Sequence, residues 1–457
     1  MVFRKWRILL QNSPSIPLSV FDKVTYHTHI RLLIYRLSSS TNHPMQQIEL
    51  GLQRALSEYR EWADRLGRKW RKVILSCFLK CTKVKLVEAS VDSKLDGLMP
   101  LKPSSILLSL HPSLKDVEEL VQVQLTRFTC GSLVIGFTAH HLVADGQSTS
   151  TFLVAWGKAA RGLDISPLPF HDRTIFKPRK PPIFEFEHRG VEFKSKVVKD
   201  FHNYNNCLDN NFADDIVIHK VHFTLAFLSK LKFRASPPSS TNNKPYSTFE
   251  CLVAIKPYST FECLVAHLWR SITKARGLGR FETTSVRISV NGRNRMSPPV
   301  PNEYNRMSPP VPNDYFGNLV LWAFPSSRVK ELVNEPLSHA AKLIHDAILK
   351  VNNNYFKSFI DFATHKAENE EEELVPTAEM NKSALCPNLE VDSWLRFPFY
   401  DLDFGGGCPY LFMPSYFPTE GMLFLLPSFI GDGSIDAYVP LFQDNAATFK
   451  EVVYSLE

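Results

Sequence analysis

The chain has 457 residues, 44% hydrophobic and 22% charged, an ordinary globular composition with room for two or three domains and a substantial core. Its formal charge of +7, from 53 basic and 46 acidic side chains, favours small anions but falls well short of a nucleic-acid footprint, and no basic stripe interleaved with aromatics appears. The 8 cysteines lack zinc-ribbon or thioredoxin spacing, and the apolar stretch after Arg4, Lys5 and Arg7 is only Ile8-Leu9-Leu10. Reduced thiols, no signal peptide, no membrane span and a soluble cytoplasmic protein are therefore expected.

In chain order, Leu52, Ala55, Leu56, Tyr59, Ala63 and Leu66 repeat at helical spacing, and Gly67 is read as the stop. The run Leu133 to Ala139 reads as a strand that ends in His140-His141-Leu142-Val143-Ala144-Asp145-Gly146. A second helix follows, with Phe152, Leu153, Trp156 and Ala159 on one side. The proline-rich stretch from Pro167 to Phe184 predicts a surface crossover between two halves, and residues 235–245 a flexible loop. Short β-branched or aromatic runs at Ile216 to Ile218 and Val286 to Val290 predict strands, and Leu337, Ala341, Ile344, Ile348 and Val351 a third helix. The acidic run around Glu368 and Glu370 to Glu373 reads as a solvated loop. The mixture argues an α/β or α+β fold.

Two direct repeats interrupt this order. Lys244 to Ala254 recurs unchanged as Lys256 to Ala266, and Asn294 to Tyr304 recurs as Asn305 to Tyr315 with one substitution. Two short copies are too few for a repeat architecture. They read as duplications, or gene-model artefacts, inserted into an ordinary globular chain.

The most informative segment is the histidine loop. Imidazole has an unperturbed pKa of about 6.5, suited to proton transfer near neutrality. A histidine at a strand end can also be purely structural. Metal chelation by His140 and His141 is disfavoured, because adjacent strand residues point to opposite faces. Far downstream stand Leu389-Glu390-Val391-Asp392-Ser393-Trp394 and Asp401-Leu402-Asp403-Phe404-Gly405-Gly406-Gly407. In an extended segment Glu390 and Asp392 share a face, and two carboxylates there could grip a guanidinium. The alternative is an exposed acidic edge. The triple glycine could suggest a phosphate cradle, but no clear helix follows it.

The histidine loop with this downstream segment resembles the plant BAHD acyl-CoA acyltransferases. The loop alone would also suit peptide-synthetase condensation domains. The ordered set adds Pro17-Leu18-Ser19-Val20-Phe21-Asp22, Ala266-His267-Leu268-Trp269-Arg270, Arg293-Asn294-Arg295-Met296-Ser297-Pro298-Pro299 and Tyr315-Phe316-Gly317-Asn318. The resemblance runs from about residue 15 to the end. The basic segment Arg65 to Lys85 departs from it, as does Gly406 where the family has tryptophan.

The resemblance implies two chloramphenicol-acetyltransferase-like domains with the active site at their interface. Residues 1–185 would be the N-terminal domain, 186–215 a crossover linker and 216–457 the C-terminal domain. It further implies His141 as general base, with Asp145 turned away from substrate to pair with Arg293 and Gly146 permitting the turn. Asp392 and Glu390 would line the acceptor pocket, and Trp394 would stand near the tetrahedral intermediate. Asp403, Phe404, Gly405 and Gly407 would shape the coenzyme A channel from a distance. No metal or prosthetic group is implied; acyl-CoA is a co-substrate, and a monomer without nucleic-acid or membrane partners is expected. Within the family the chain is most similar to the agmatine hydroxycinnamoyltransferase branch, which implies N-acylation of an amine, with agmatine the expected acceptor. Alternatives are an O-acyltransferase acting on shikimate, quinate or another alcohol, and an inactive relic.

Overall fold

A computed structural model describes residues 2–8, 16–26, 28–36, 45–63, 65–69, 72–78, 84–95, 104–115, 117–195, 215–236, 258–296, 311–367, 372–376 and 384–456. The first half runs β1 (Val2–Ile8), β2 (Ile16–Pro17), α1 (Val20–Lys23), β3 (His29–Arg36), α2 (Met45–Glu58), β4 (Arg65–Lys69), β5 (Lys72–Phe78), β6 (Val84–Val91), β7 (Val121–Phe128), β8 (Leu133–His140) and α3 (Gly146–Ala160). The second runs β9 (Val191–Ser195), β10 (Ile216–Phe223), α4 (Leu225–Ala235), α5 (Thr260–Arg276), β11 (Thr283–Asn291), β12 (Val320–Ala323), β13 (Ser326–Arg328), α6 (Val329–Asn334), α7 (Leu337–Lys350) and α8 (Asn353–Ala367). It closes with β14 (Glu372–Pro376), β15 (Leu389–Ser393), β16 (Leu411–Pro414), β17 (Met422–Pro427), β18 (Ile435–Phe442) and α9 (Ala446–Val452).

Two mixed sheets organise the described residues, in the orders β1-β6-β7-β8-β3-β16 and β10-β18-β17-β15-β11-β12, with β13 paired to β11. Each carries its own core. The first is built on one face of β8, where Phe137 meets Trp62 and Phe152 at ring distances of 5.5 and 5.8 Å. There α2 and α3 touch backbone to backbone: a Cβ on Gly51 would lie 2.5 Å from the Ala160 main chain. Trp156 Nε1 ties the pair by donating to Ile48 O at 2.8 Å. The second core gathers around α5, with Leu264, Leu268, Trp269 and Ile272 all buried.

Several expectations change. The first predicted helix stops at Glu58 and is followed by a 3-10 turn at Arg60–Ala63, so Gly67 ends no helix and lies in β4. The basic segment forms a hairpin in which β4 pairs antiparallel with β5. The division at residues 185 and 216 does not coincide with the sheets, because β16 pairs antiparallel with β3 of the first sheet. The stretch 167–184 is stitched rather than merely crossing: Phe170 bridges Tyr315, Arg173 and Phe176 are buried, and Arg179 pairs with Asp361 at 2.7 Å. In the expected linker, β9 pairs with β14, while residues 196–214 lie outside the described residues.

The repeats fall mostly outside the described residues as well, but their second copies do structural work. Ser259 and Glu262 form a capping box that starts α5, satisfying the helix's orphan amides. Val311 N donates to Met296 O at 3.3 Å, so the chain between these residues leaves from a closed base. That bond ties together the two segments in which Arg293 and Tyr315 lie.

His188, just after the crossing, is buried against Tyr355, Phe359 and Phe362. Burial pushes its pKa down to about 4. The unfolded chain therefore binds a proton between about pH 6.5 and 4 that the folded one refuses, and stability falls as pH drops through that window. The expected slope from this residue is at most about 1.4 kcal/mol per pH unit. Urea titrations of the wild type and of His188→Gln should show a shallower acid loss in the variant.

Candidate active site

The end of β8 is held by its backbone. His141 N donates to Thr28 O at 2.9 Å. Asn318 Nδ2 donates to His141 O and Leu142 O, each at 3.0 Å, and Arg173 Nη2 reaches Val143 O at 3.1 Å. The carbonyls of the turn are thus satisfied by side chains from elsewhere in the chain, as a tight buried turn requires. Asn318 is itself held by Asp22, whose Oδ1 accepts from its N and Nδ2 at 2.9 Å. The Ser19–Asp22 turn, the Tyr315–Asn318 segment and the histidine loop therefore meet at one point. The His141 side chain projects from this frame half-buried, and its Nδ1 has no hydrogen-bond partner among the described residues.

Asp145 turns away from His141. It N-caps α3 through Ser148 N at 2.9 Å and pairs with Arg293 twice, Nη1 to Oδ2 at 2.7 Å and Nη2 to Oδ1 at 3.1 Å. Leu319 N adds a bond to Oδ2 at 3.0 Å. Arg293 is 1% exposed and also donates to Ser148 Oγ, Tyr315 O and Gly317 O. A buried ion pair is stable only when its remaining donors and acceptors are satisfied, and here they are. Gly146 is required for space: a Cβ would come within 2.5 Å of the Phe397 ring.

The other end of α3 is fastened too. Arg161, its C-cap, pairs with Asp403 at 3.0 Å, and the Phe404 ring packs edge-on against Trp156. Asp403 Oδ1 accepts from the amides of Gly405, Gly406 and Gly407 at 2.7, 3.0 and 2.9 Å. Although partial burial opposes it, these amides and Arg161 hold the Asp403 carboxyl below its usual range. The glycine amides are thus committed to Asp403 and do not form a phosphate cradle. Gly405 and Gly407, at φ 94° and 89°, adopt the left-handed backbone that favours glycine.

On β15, Glu390 and Asp392 do share a face, but their surroundings separate them. Glu390 sits opposite Arg287 of β11 and faces its Nη1 at 3.3 Å; the Tyr26 hydroxyl also donates to it. Burial pushes its carboxyl up while Arg287 pulls it down. The expected free pair of carboxylates is not seen, because the chain's own guanidinium takes Glu390. Asp392 is only half-buried; its Oδ1 accepts from Ser289 Oγ at 2.7 Å. Trp394 is half-buried among Phe399, Phe412 and Phe424. Tyr26, which sequence reasoning missed, links the two groups: its ring stands edge-on to His141 at 6.4 Å, and its hydroxyl bonds to Glu390 and Arg287. Among the described residues, no three His, Cys, Asp or Glu side chains are grouped to hold a metal ion.

A turn-borne histidine held between two mixed sheets, with a buried Asp–Arg pair behind it, is the arrangement expected of an acyl-CoA-dependent acyltransferase. The model of the Transferase family matches residues 9–305 and 304–456, and the chain belongs to this family, whose plant enzymes are called BAHD. It is 50% identical over 446 residues to agmatine coumaroyltransferase-1 of Hordeum vulgare, covering 97% of this chain and 94% of that one. It is 47% identical over 458 residues to the putrescine hydroxycinnamoyltransferase of Oryza sativa subsp. japonica, covering 97% and 94%, and 30% identical to the shikimate O-hydroxycinnamoyltransferase of Nicotiana tabacum, covering 94% and 92%. The fold is similar to that of vinorine synthase, with a TM-score of 0.67 at 20% identity over 99% of both chains. It is also similar to TRI101 of F. sporotrichioides, solved with coenzyme A, with a TM-score of 0.70 at 16% identity over 94% and 96%.

Removing one member of the buried pair leaves the other uncompensated. Asp145→Leu or Arg293→Met should each cost about 3–5 kcal/mol of stability in urea unfolding, and the two combined less than their sum.

Proposed function

We propose that the protein transfers a hydroxycinnamoyl group from coenzyme A to the primary amine of agmatine, with His141 as general base. The observation that carries this reading is the His141 ring itself: its backbone is fixed on both sides, the ring is half-buried, and Nδ1 is buried without a partner among the described residues, which leaves Nε2 as the nitrogen that meets the nucleophile. A proton acceptor needs just this combination of fixed position and an uncommitted nitrogen. The names of the 50% and 48% identical relatives, agmatine transferases of barley and rice, support the choice of acceptor.

The thioester is already activated, so the protein's task is to deliver a nucleophile and steady an oxyanion. An aliphatic amine is mostly protonated at neutral pH and must shed a proton before it attacks. His141 takes a proton from the attacking nitrogen as the new C–N bond forms. The tetrahedral intermediate then collapses with cleavage of the C–S bond, and the proton passes to the departing thiolate. Asp145 plays no part in proton transfer, since Arg293, Ser148 N and Leu319 N occupy its oxygens. Asp392 meets the distal cation of the acceptor: one oxygen is braced by Ser289 and the other carries no bond among the described residues. An acidic wall of this kind attracts a guanidinium and repels the carboxylate of shikimate. Trp394, on the same strand end, lies against the intermediate. The intact Asp145–Arg293 pair beside the duplicated block favours a working enzyme over a relic.

His141→Ala should lower kcat by about two to four orders of magnitude while thermal shifts with coenzyme A persist. Asp392→Asn should raise the KM for agmatine at least about tenfold, with a smaller change in kcat. Steady-state assays with coumaroyl-CoA and a panel of agmatine, putrescine and shikimate test the reading. Transfer to shikimate, and never to an amine, rejects it.

A further inference from the structure

The contact between β11 and β15 is made of two rungs of unlike composition. Arg287 stands opposite Glu390 in the parallel register, and two residues further along the same face Ser289 Oγ donates to Asp392 Oδ1 at 2.7 Å. In the first rung an ion meets its counterion: Arg287 Nη1 lies 3.3 Å from both Glu390 oxygens. In the second a carboxylate meets only a hydroxyl. On the other edge of β15 the opposing residues are Met422 and Phe424, which carry no charge. The Tyr26 hydroxyl donates to Glu390, and burial keeps that phenol un-ionised by pushing its pKa up. The Arg287–Glu390 rung is therefore neutral, and Asp392 is left without an ion pair among the described residues.

Arg287 is built into this wall. Its Cζ lies 4.0 Å from the Trp322 ring centroid and 5.3 Å from that of Tyr26, so the guanidinium rests on two aromatic faces. The side chain is 7% exposed, and its Nε and Nη2 are buried with no hydrogen-bond partner among the described residues. Unpaired buried donors are costly, and a buried ion pair with unsatisfied groups is less stable than apolar residues of similar volume. Fold stability alone therefore does not account for an arginine at this position. The Tyr26 ring, edge-on to His141 at 6.4 Å, puts the rung one side chain away from the proposed base.

Residues two apart on a strand are separated by about 7 Å, and the two nitrogens of an extended aminobutyl chain by roughly 6 Å at standard bond lengths. Glu390 and Asp392 without Arg287 would thus suit two cations of one acceptor. With Arg287 in place the first position already holds a cation, which leaves Asp392 for one more and repels a second. We propose that Arg287 is a specificity-determining residue that limits the acceptor to one cationic group besides the reacting amine, so that the protein takes agmatine and diamines and rejects triamines such as spermidine. The proposal rests on the amine-acceptor reading of this site and adds to it a count of charges. Without Arg287, Glu390 loses the group that pulls its carboxyl down, and an ammonium group of a triamine takes that place.

The test is steady-state kinetics of the full chain with coumaroyl-CoA and with agmatine, putrescine or spermidine as acceptor. In the wild type, kcat/KM for agmatine should exceed that for spermidine at least about tenfold. Arg287→Met should lower this ratio to about threefold or less, chiefly through the KM for spermidine. Arg287→Met combined with Glu390→Gln keeps the enlarged space but restores the wild-type charge, and should return the ratio to about tenfold or more. A ratio that stays low in this double variant shows that space rather than charge is in control and overturns the proposal. Equal wild-type values for the two acceptors also overturn it, as does an unchanged ratio in an Arg287→Met protein that keeps the wild-type melting temperature. Should the variants fail to fold, competition against agmatine in the wild type decides: an inhibition constant for spermidine at least about tenfold above that for putrescine supports the proposal, and a smaller difference overturns it. Transfer to no amine at all fails the acceptor reading and the proposal together, whereas transfer to agmatine with the wrong ratio fails the proposal alone.

Discussion

The buried pair of Asp145 and Arg293 is the contact on which the site depends. Asp145 opens α3 from the first sheet's side, and Arg293 follows β11 of the second sheet. Two charges out of water tolerate little displacement, because each lost bond exposes an uncompensated ion in a medium of low polarity. Arg293 also gathers Ser148, Tyr315 and Gly317, and Leu319 N caps the same carboxylate. Through these bonds the turn carrying His141 is fixed relative to the second sheet.

The helix that follows the turn is held at its other end by different chemistry. Arg161 pairs with Asp403, which folds the three glycine amides around its own carboxylate, while Phe404 seats against Trp156. The tryptophan that the family carries at position 406 would add to this loop, yet the anchor is the Asp403 side chain. That residue, and the Trp156 face it serves, are intact. A loop without the tryptophan thus still grips the end of α3.

Polarity divides the seam. On the second sheet, Arg287 pairs with Glu390 and stacks over Trp322, with its Cζ 4.0 Å from the ring centroid. That leaves Asp392 as the half-buried carboxylate of this strand. On the first sheet, β7, β8 and β3 turn a row of amide, hydroxyl, imidazole and guanidinium groups inward. The two walls thus differ in charge, one carrying the Asp392 carboxylate and the other the Arg31 guanidinium. His141 lies between the two.

Much of this was legible along the chain. The apolar run of β8, the histidine and aspartate after it and the helical spacing of Phe152, Leu153 and Trp156 are local patterns, and local patterns survive in sequence. The pairing of Asp145 with Arg293 followed from the family resemblance, despite the duplicated block beside it. What sequence could not supply were relations between distant segments. The insertion of β16 beside β3, the capture of Glu390 by Arg287 and the part played by Tyr26 each join residues about a hundred or more positions apart, with no periodicity to announce them. The burial of Gln122 on β7 was hidden for a sharper reason. Alternation reports which side of a strand is polar, and only tertiary packing decides whether that side meets water: here the segment 105–111 lies against it, bonding Gln124 and Thr138.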